Sequence, residues 1–431
     1  MALQDRALGP TALLIAIVGL PAAAAAQESR LAELGARAQG GDAQALLDLG
    51  IAQRRAGHFD DAAATLRRAM HARRGGWPEA QYELARVFFD EGDYRAAKTV
   101  CGALLSATKR GPLGHNCMGQ TFLVWRRSSP AAAEFDQTLA VEPQNAIALY
   151  GKAEGHRMLS QVAEAEAGYR QAIGAAPNEY LPHLGLGLLL SDSDRTEDAS
   201  ASFRRAAELA PDEPEPHYRL GKSLGRGQDA IASLSRAIEI RPGWAEAQME
   251  LGAALLGCGR GQDAAARFQE AIRLAANMGG AHEGLGLALF SVGGQDEVAE
   301  ASLKRALELV PNLPRAVFTL AEIQARTSRV DEAVETFRQA ADLMRADPLP
   351  LVRAGEILRD RGRNTVAIGF FQRALAIDAN LARAHVALGD IYWNMQDWPH
   401  ARSSYEAASR GRLSSQDAAR VRERLARLRQ L

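Results

Sequence analysis

A chain of 431 residues, 47% hydrophobic and 24% charged, carries enough apolar mass for a large buried core. Its net charge of −1 supplies no bulk attraction to nucleic acid or anionic lipid, so neither is expected as a partner. Aromatics make up only 6% while alanine and leucine dominate, and an all-α fold is expected because both favour helix. The basic residues are nearly all arginine, a bias of the kind GC-rich bacterial genomes produce.

Residues 1–26 stand apart in composition. A short polar segment with Arg6 leads into an apolar run from Ala12 to Leu20, then Pro21 and the alanines 22–26. This is the order of a secretory signal peptide, and cleavage after Ala26 is expected. Such a chain would be periplasmic or secreted. The alternative is an uncleaved anchor in the inner membrane, although the run is shorter than the roughly 20 apolar residues of a spanning helix. Membrane contact is expected only in that case. No cysteine sits at the cleavage site and no second arginine adjoins Arg6, so neither a lipoprotein nor a twin-arginine signal is indicated.

Further along, one period organises the chain. Pro143, Pro177 and Pro211 are spaced by 34 residues, and Ala153, Ala165, Tyr169 and Ala172 recur 34 residues later as Gly187, Ala199, Phe203 and Ala206. Numbered from the residue where each unit starts, the pattern wants large residues at positions 4, 7 and 11 and a small one at 8. It then wants Ala at 20, an aromatic or Leu at 24, Ala at 27 and often Pro at 32. Positions 4, 7, 8 and 11 form one stripe of a first helix; 20, 24 and 27 form one stripe of a second. The small residues let the helices approach, and the proline ends the second helix. About eleven such units run from residue 43 to 414. The sixth is three residues short, which places a deletion in its inter-helix turn around Gly225 to Gln228. The eighth has one extra residue near Gly293 and Gly294.

This pattern resembles the tetratricopeptide repeat. The resemblance implies an all-α, right-handed superhelical solenoid of about eleven helix–turn–helix repeats. The expected organisation is a signal peptide or anchor at 1–26, a lead-in helix at 27–42, the array at 43–414 and a capping helix at 415–431. Val421, Leu425 and Leu428 give that last segment an apolar stripe, while its arginines make it basic.

The resemblance also implies a concave groove lined by positions 2, 5, 9, 12 and 13 of the first helices. Here the expected groove residues are Tyr82, Arg86, Phe89, Tyr150, Arg157, Leu184, Leu188, Tyr218, Met249, Leu256, Leu287, Phe290, Phe318, Arg359 and Trp393. The middle of that row is apolar, which suits a protein or peptide partner. A scaffold for assembly of an envelope or secretion complex follows as the expected role. The alternatives are an array that guides an exported polysaccharide, or a regulatory subunit of an enzyme on a separate chain. The cochaperone clamp for a peptide carboxylate is not matched, because Asn116 has no paired groove lysines around it.

No catalytic site, metal site or cofactor is expected. Gly221, Lys222 and Ser223 lack the glycine five residues upstream that a phosphate loop needs; Pro216 is there instead. His115, His183, His217, His282 and His385 all fall at position 4, a regularity that points to a packing role. Cys101 and Cys117 lie 16 residues apart on consecutive helices, so a bridge is geometrically possible; two small buried hydrophobes is the plainer reading.

Overall fold

In a computed structural model of the chain, residues 20–73 and 76–430 are described, with side chains from Glu28 onward. The apolar run of the expected signal peptide lies largely outside them. Every regular element among the described residues is a helix. No described helix is long and apolar enough to cross a membrane.

The chain divides into two compact units at Cys258 and Gly259. The first holds α1 (Leu20–Ala38), which runs through Ala26 into the expected lead-in segment. Six helix pairs follow: α2 (Ala43–Ala56) with α3 (Phe59–Ala72), α4 (Pro78–Glu91) with α5 (Tyr94–Ala107), and α6 (Pro112–Val124) with α7 (Ser128–Val141). Then come α8 (Ala146–Met158) with α9 (Val162–Ala175), α10 (Tyr180–Asp192) with α11 (Thr196–Leu209), and α12 (Pro214–Leu224) with α13 (Gln228–Ile240). The seventh repeat of the sequence supplies α14 (Ala245–Gly257) to this unit and α15 (Gly261–Leu274) to the next. The second unit continues with α16 (Gly279–Val292) and α17 (Asp296–Leu309), α18 (Pro314–Arg326) and α19 (Val330–Leu343), and α20 (Leu349–Asp360) and α21 (Asn364–Ile377). It ends with α22 (Ala382–Asn394), α23 (Trp398–Ala408) and α24 (Ser415–Leu428).

The local signals behave as the pattern requires. Second helices α7, α9, α11, α13 and α17 each end two residues before a proline. Prolines 78, 112, 214 and 314 open first helices, where their missing N–H costs nothing. Outside the sixth and eighth repeats, whose turns carry two glycines each with positive φ, each turn inside a repeat has one residue in the left-handed region. It is a glycine in Gly57, Gly92 and Gly362, but Arg126, Ser160 and Ser328 adopt φ of 54°, 58° and 64°. The sixth repeat corrects the expected position of its deletion. Its turn keeps three residues, 225–227, like the turns at 159–161 and 193–195. The loss is taken from the helices: α12 has 11 residues against 13 in α10, and α13 has 13 against 14 in α11. The extra residue of the eighth repeat likewise lengthens α16 to 14 residues and leaves its turn at 293–295.

The core is a row of position-24 side chains: Phe135, Tyr169, Phe203, Phe268, Phe337, Phe371 and Tyr405 are all essentially inaccessible. Each has a small residue against it. A Cβ on Gly119 would lie 2.6 Å from the Phe135 ring, and one on Gly151, at position 6 of the next repeat, 2.2 Å. That ring therefore fills the space between two repeats, and the same pairing recurs for Tyr169 with Gly185 and Phe268 with Gly284. At one junction the pairing is covalent. Cys101 occupies position 24, Cys117 occupies position 6 of the next repeat, and their sulfurs are bonded with the Cα atoms 5.3 Å apart. The disulfide thus stands where other junctions place a ring against a glycine.

Candidate functional site

Within the first unit the inner side chains of the first helices meet across the repeats. Arg54 near the end of α2 is 3% exposed. Its guanidinium donates to Asp90 on α4 at 2.6 Å and to Glu213 at 3.1 Å, and lies 3.5 Å from Glu83. Glu213 sits in the turn that opens the sixth repeat, 159 residues away. Arg55 donates to the same Glu213 oxygen at 3.0 Å, and Arg86 lies 3.9 Å from it. Burial pushes the Glu213 carboxyl up, but Arg54, Arg55 and Arg86 outweigh it and hold it below the usual carboxylate range. Three guanidinium groups therefore face Glu83, Asp90 and Glu213.

Beside this cluster lie three tyrosines. Arg86 donates to the Tyr180 hydroxyl at 3.4 Å, and Gln120 on α6 donates to the Tyr82 hydroxyl at 2.7 Å. Burial pushes the phenols of Tyr82 and Tyr150 up, and that of Tyr180 to about 12, so all three are neutral donors at physiological pH. Tyr150 lies 6.0 Å from the Tyr169 ring, whose hydroxyl donates to Glu154 at 2.5 Å. Arg157 pairs with Glu154 at 2.9 Å and with Asp192 at 3.3 Å.

The residues expected in the groove divide accordingly. Tyr82, Arg86, Phe89, Tyr150, Arg157 and Leu188 are half-buried inner residues of the first unit, and Met249 and Leu256 are half-buried on α14. Leu184 and Tyr218 are buried, contrary to their expected exposure. Leu184 packs among Phe203, Leu190 and Leu220, while Tyr218 lies 4.5 Å from the Trp244 ring. The groove template treats position 5 as uniformly exposed; at these two repeats Phe203 and Leu220 cover Leu184, and Trp244 covers Tyr218. Tyr180 and Glu213 were not anticipated, because they fall at positions 1 and 0, outside the groove template.

In the second unit the same positions carry a ladder of neighbours. Glu322 on α18 accepts two bonds from Arg353 on α20, at 2.5 and 2.7 Å. Arg353 also pairs with Glu356, which accepts from Arg383 on α22 at 2.5 and 2.8 Å. Asp390 continues the series, accepting from the Tyr405 hydroxyl at 2.7 Å and lying 3.4 Å from Arg420 on α24. Arg353 at position 6 escaped the template, although its spacing from the acid one repeat earlier could have revealed it. Leu287, Phe290, Phe318, Arg359 and Trp393 are half-buried. Arg326 covers Phe290 at 4.5 Å, Arg424 of α24 covers Trp393 at 4.1 Å, and Phe318 meets Phe337 edge-on at 5.5 Å. The basic α24 thus uses its cations partly as packing against the last repeat.

The position-4 histidines have a structural role of a different kind from core packing. His183, His217, His282 and His385 each approach a carbonyl oxygen six residues earlier, at 3.4, 3.2, 3.0 and 3.0 Å. Each ring nitrogen donates to the turn preceding its own repeat and so tethers consecutive units. His115 instead meets Glu134 at 2.7 Å. Among the described residues no group of three or more His, Cys, Asp and Glu side chains is arranged to hold a metal ion.

A family model described as a tetratricopeptide repeat matches residues 47–112, 119–180, 184–245, 223–278, 249–314 and 294–349, and one described as a TPR repeat matches 355–396. No curated protein matches the chain. Among solved structures it is similar to a crystal structure of MamA, 25% identical, covering 39% of this chain and 94% of that one, with a TM-score of 0.37. A second MamA structure gives 26% identity, coverage of 36% and 93%, and a TM-score of 0.35. Yeast Tom70 is 12% identical, with coverage of 90% and 95% and a TM-score of 0.38. The family matches take in well over half of the residues and agree with the helix pairs and their packing, and the chain therefore belongs to the tetratricopeptide repeat family.

Proposed function

We propose that this protein is a non-enzymatic scaffold of the cell envelope, which binds a protein or peptide segment along the inner faces of its first helices during assembly of an envelope or secretion complex. The observation that carries the reading is the half-exposed apolar row of the second unit. Leu287, Phe290 and Phe318 lie on two successive first helices, where a water-facing surface would be polar. An apolar helix or extended segment laid across them would bury that row, with Arg359 and the Glu322–Arg353–Glu356 ladder as its polar border. Export rests on the order of residues 1–26, and cleavage after Ala26 would release the chain into the periplasm.

The test combines Leu287→Asp with Phe290→Asp. The expected result is loss of partner co-purification from the envelope with helical circular dichroism retained; unaltered capture by a folded variant removes the apolar row from the account. N-terminal sequencing of the mature chain checks export, and Gln27 is expected as its first residue. A chain retaining Met1 in the membrane fraction would favour the anchored form.

The tyrosine lining of the first unit favours one second reading. Tyr82, Tyr150 and Tyr180 combine ring faces with hydroxyls, as a polysaccharide-guiding surface would require. Calorimetry with the producing strain's exopolysaccharide separates the readings, since the protein-scaffold reading expects no heat of binding.

A further inference from the structure

The first unit is drawn together by contacts that join its beginning to its sixth repeat. Arg54 and Arg55 reach Glu213, Arg30 reaches Asp212 at 3.0 Å, and Arg241 donates to the Arg55 carbonyl at 3.4 Å. These bonds span 158 to 186 residues of sequence. They differ in kind from the contacts that build the repeats, because they are made by charged groups, whereas each repeat junction is sealed by a buried ring, leucine or disulfide.

Beside them the seam is imperfectly filled. A cavity of about 440 Å³ lies between Gly57, His58 and Phe59 on one side and Arg241, Pro242 and Trp244 on the other. A packed apolar seam would leave no such space. Each repeat's own core is completed by its sequence neighbours, so separating the first repeat from the sixth leaves those cores intact. Opening therefore costs mainly the charge contacts, and the exposed ones among them weaken as salt rises.

The most buried of these contacts centres on Glu213. Its carboxylate is the one anion in the cluster that comes from the far side of the seam; Glu83 and Asp90 belong to α4, next to the arginines in the array. Without Glu213, Arg54 keeps Glu83 and Asp90 and Arg86 keeps Glu83, while Arg55 is partly exposed to water, so no buried cation is stranded when the seam parts. Prolines 211 and 214 bracket the turn and limit its backbone, which presents the carboxylate in a fixed direction. We propose that Glu213 is an electrostatic latch: it closes the first unit's turn of repeats upon itself, and its release opens the inner face that carries Tyr82, Tyr150 and Tyr180. The latch is a property of this unit's own fold and stands or falls apart from the scaffold reading.

The test measures distance across the seam. Spin labels at Asp60→Cys on α3 and Glu239→Cys on α13, both exposed, are placed in a Cys258→Ser background so that the free thiol is not labelled. The full chain is expected to give one narrow distance distribution. Glu213→Gln keeps the shape of the side chain and removes its charge; a shift to longer, broader distances is expected, with unchanged helical circular dichroism. Arg55→Gln, which removes a half-exposed partner, should shift the distribution in the same direction by less. An unchanged distribution in Glu213→Gln overturns the latch. Loss of helicity in Glu213→Gln also overturns it, because the carboxylate would then be required for the repeats themselves and not for their closure.

Discussion

The two units are built from the same repeat yet use their inner faces differently. In the first, inner arginines at the end of α2 find their partner at the start of the sixth repeat, and the hydrogen bonds of this closure reach across as many as 186 residues. In the second, the inner ion pairs of the ladder are short in reach: Glu322 with Arg353 and Glu356 with Arg383 join adjacent repeats, and Asp390 with Arg420 joins the last repeat to α24. A local ladder stiffens a solenoid without closing it, whereas a long-range cluster couples its ends. The difference teaches that a groove position in a repeat array has no fixed meaning: the accumulated rotation of the repeats decides whether it meets a partner, a neighbour or its own chain.

Cutting the core should expose that difference most strongly. Phe371→Ala in the second unit and Phe135→Ala in the first each remove a fully buried ring, at a cost of about 3–5 kcal/mol. Hydrogen exchange followed by mass spectrometry should show protection lost around α20 to α22 in the first variant, decaying within a repeat on either side. In Phe135→Ala the loss should also reach α12, through the Glu213 contacts. Equal spread in the two variants would break the comparison.

The disulfide distinguishes the first unit next. Replacing Cys101 and Cys117 together by alanine should destabilise it by about 3 kcal/mol, the amount expected for a closed loop of this length. Thiol counting on unreduced, denatured protein should find a single reactive group, Cys258; three would contradict the bridge. The ladder of the second unit is worth less. Arg353→Ala removes the half-exposed cation that Glu322 and Glu356 share and should cost about 0.5–1 kcal/mol, diminishing with added salt. Smallest, and opposite in sign, is the relief of left-handed turn residues. Ser160→Gly and Ser328→Gly should each stabilise their unit by no more than about 0.5 kcal/mol in thermal melts, since the relief of φ at 58° and 64° is largely offset by the greater freedom glycine loses on folding. No gain in either would indicate that the serine side chains compensate.

Much of this was legible in the sequence because a period is a local property. The 34-residue spacing gave the helix pairs, and the position-24 rings and their small partners gave the core. The bridge was half visible: Cys101 already stood at the ring position, and Cys117 stands where Gly151, Gly185 and Gly284 stand in other repeats. Comparing position 6 across repeats would have turned a possible bridge into an expected one. The deletion in the sixth repeat misled because turns usually absorb such changes, yet its turn keeps the three residues of the turns at 159–161 and 193–195, and the helices shortened instead. The closure on Glu213 could not be read at all. It depends on small rotations summed over five repeats, and nothing within one repeat records that sum.

The central claim is that partners reach the inner face, freely in the second unit and through the latch in the first. It is tested most directly by photocrosslinking in the producing cells, with a reactive side chain placed in turn at Leu287, Phe290, Leu188 and Tyr150, and at the exposed outer residues Val298 and Val162. The account predicts partner adducts at Leu287 and Phe290 in the wild-type background, adducts at Leu188 and Tyr150 that grow when Glu213→Gln is added, and none at Val298 or Val162. Adducts confined to the outer residues would contradict it.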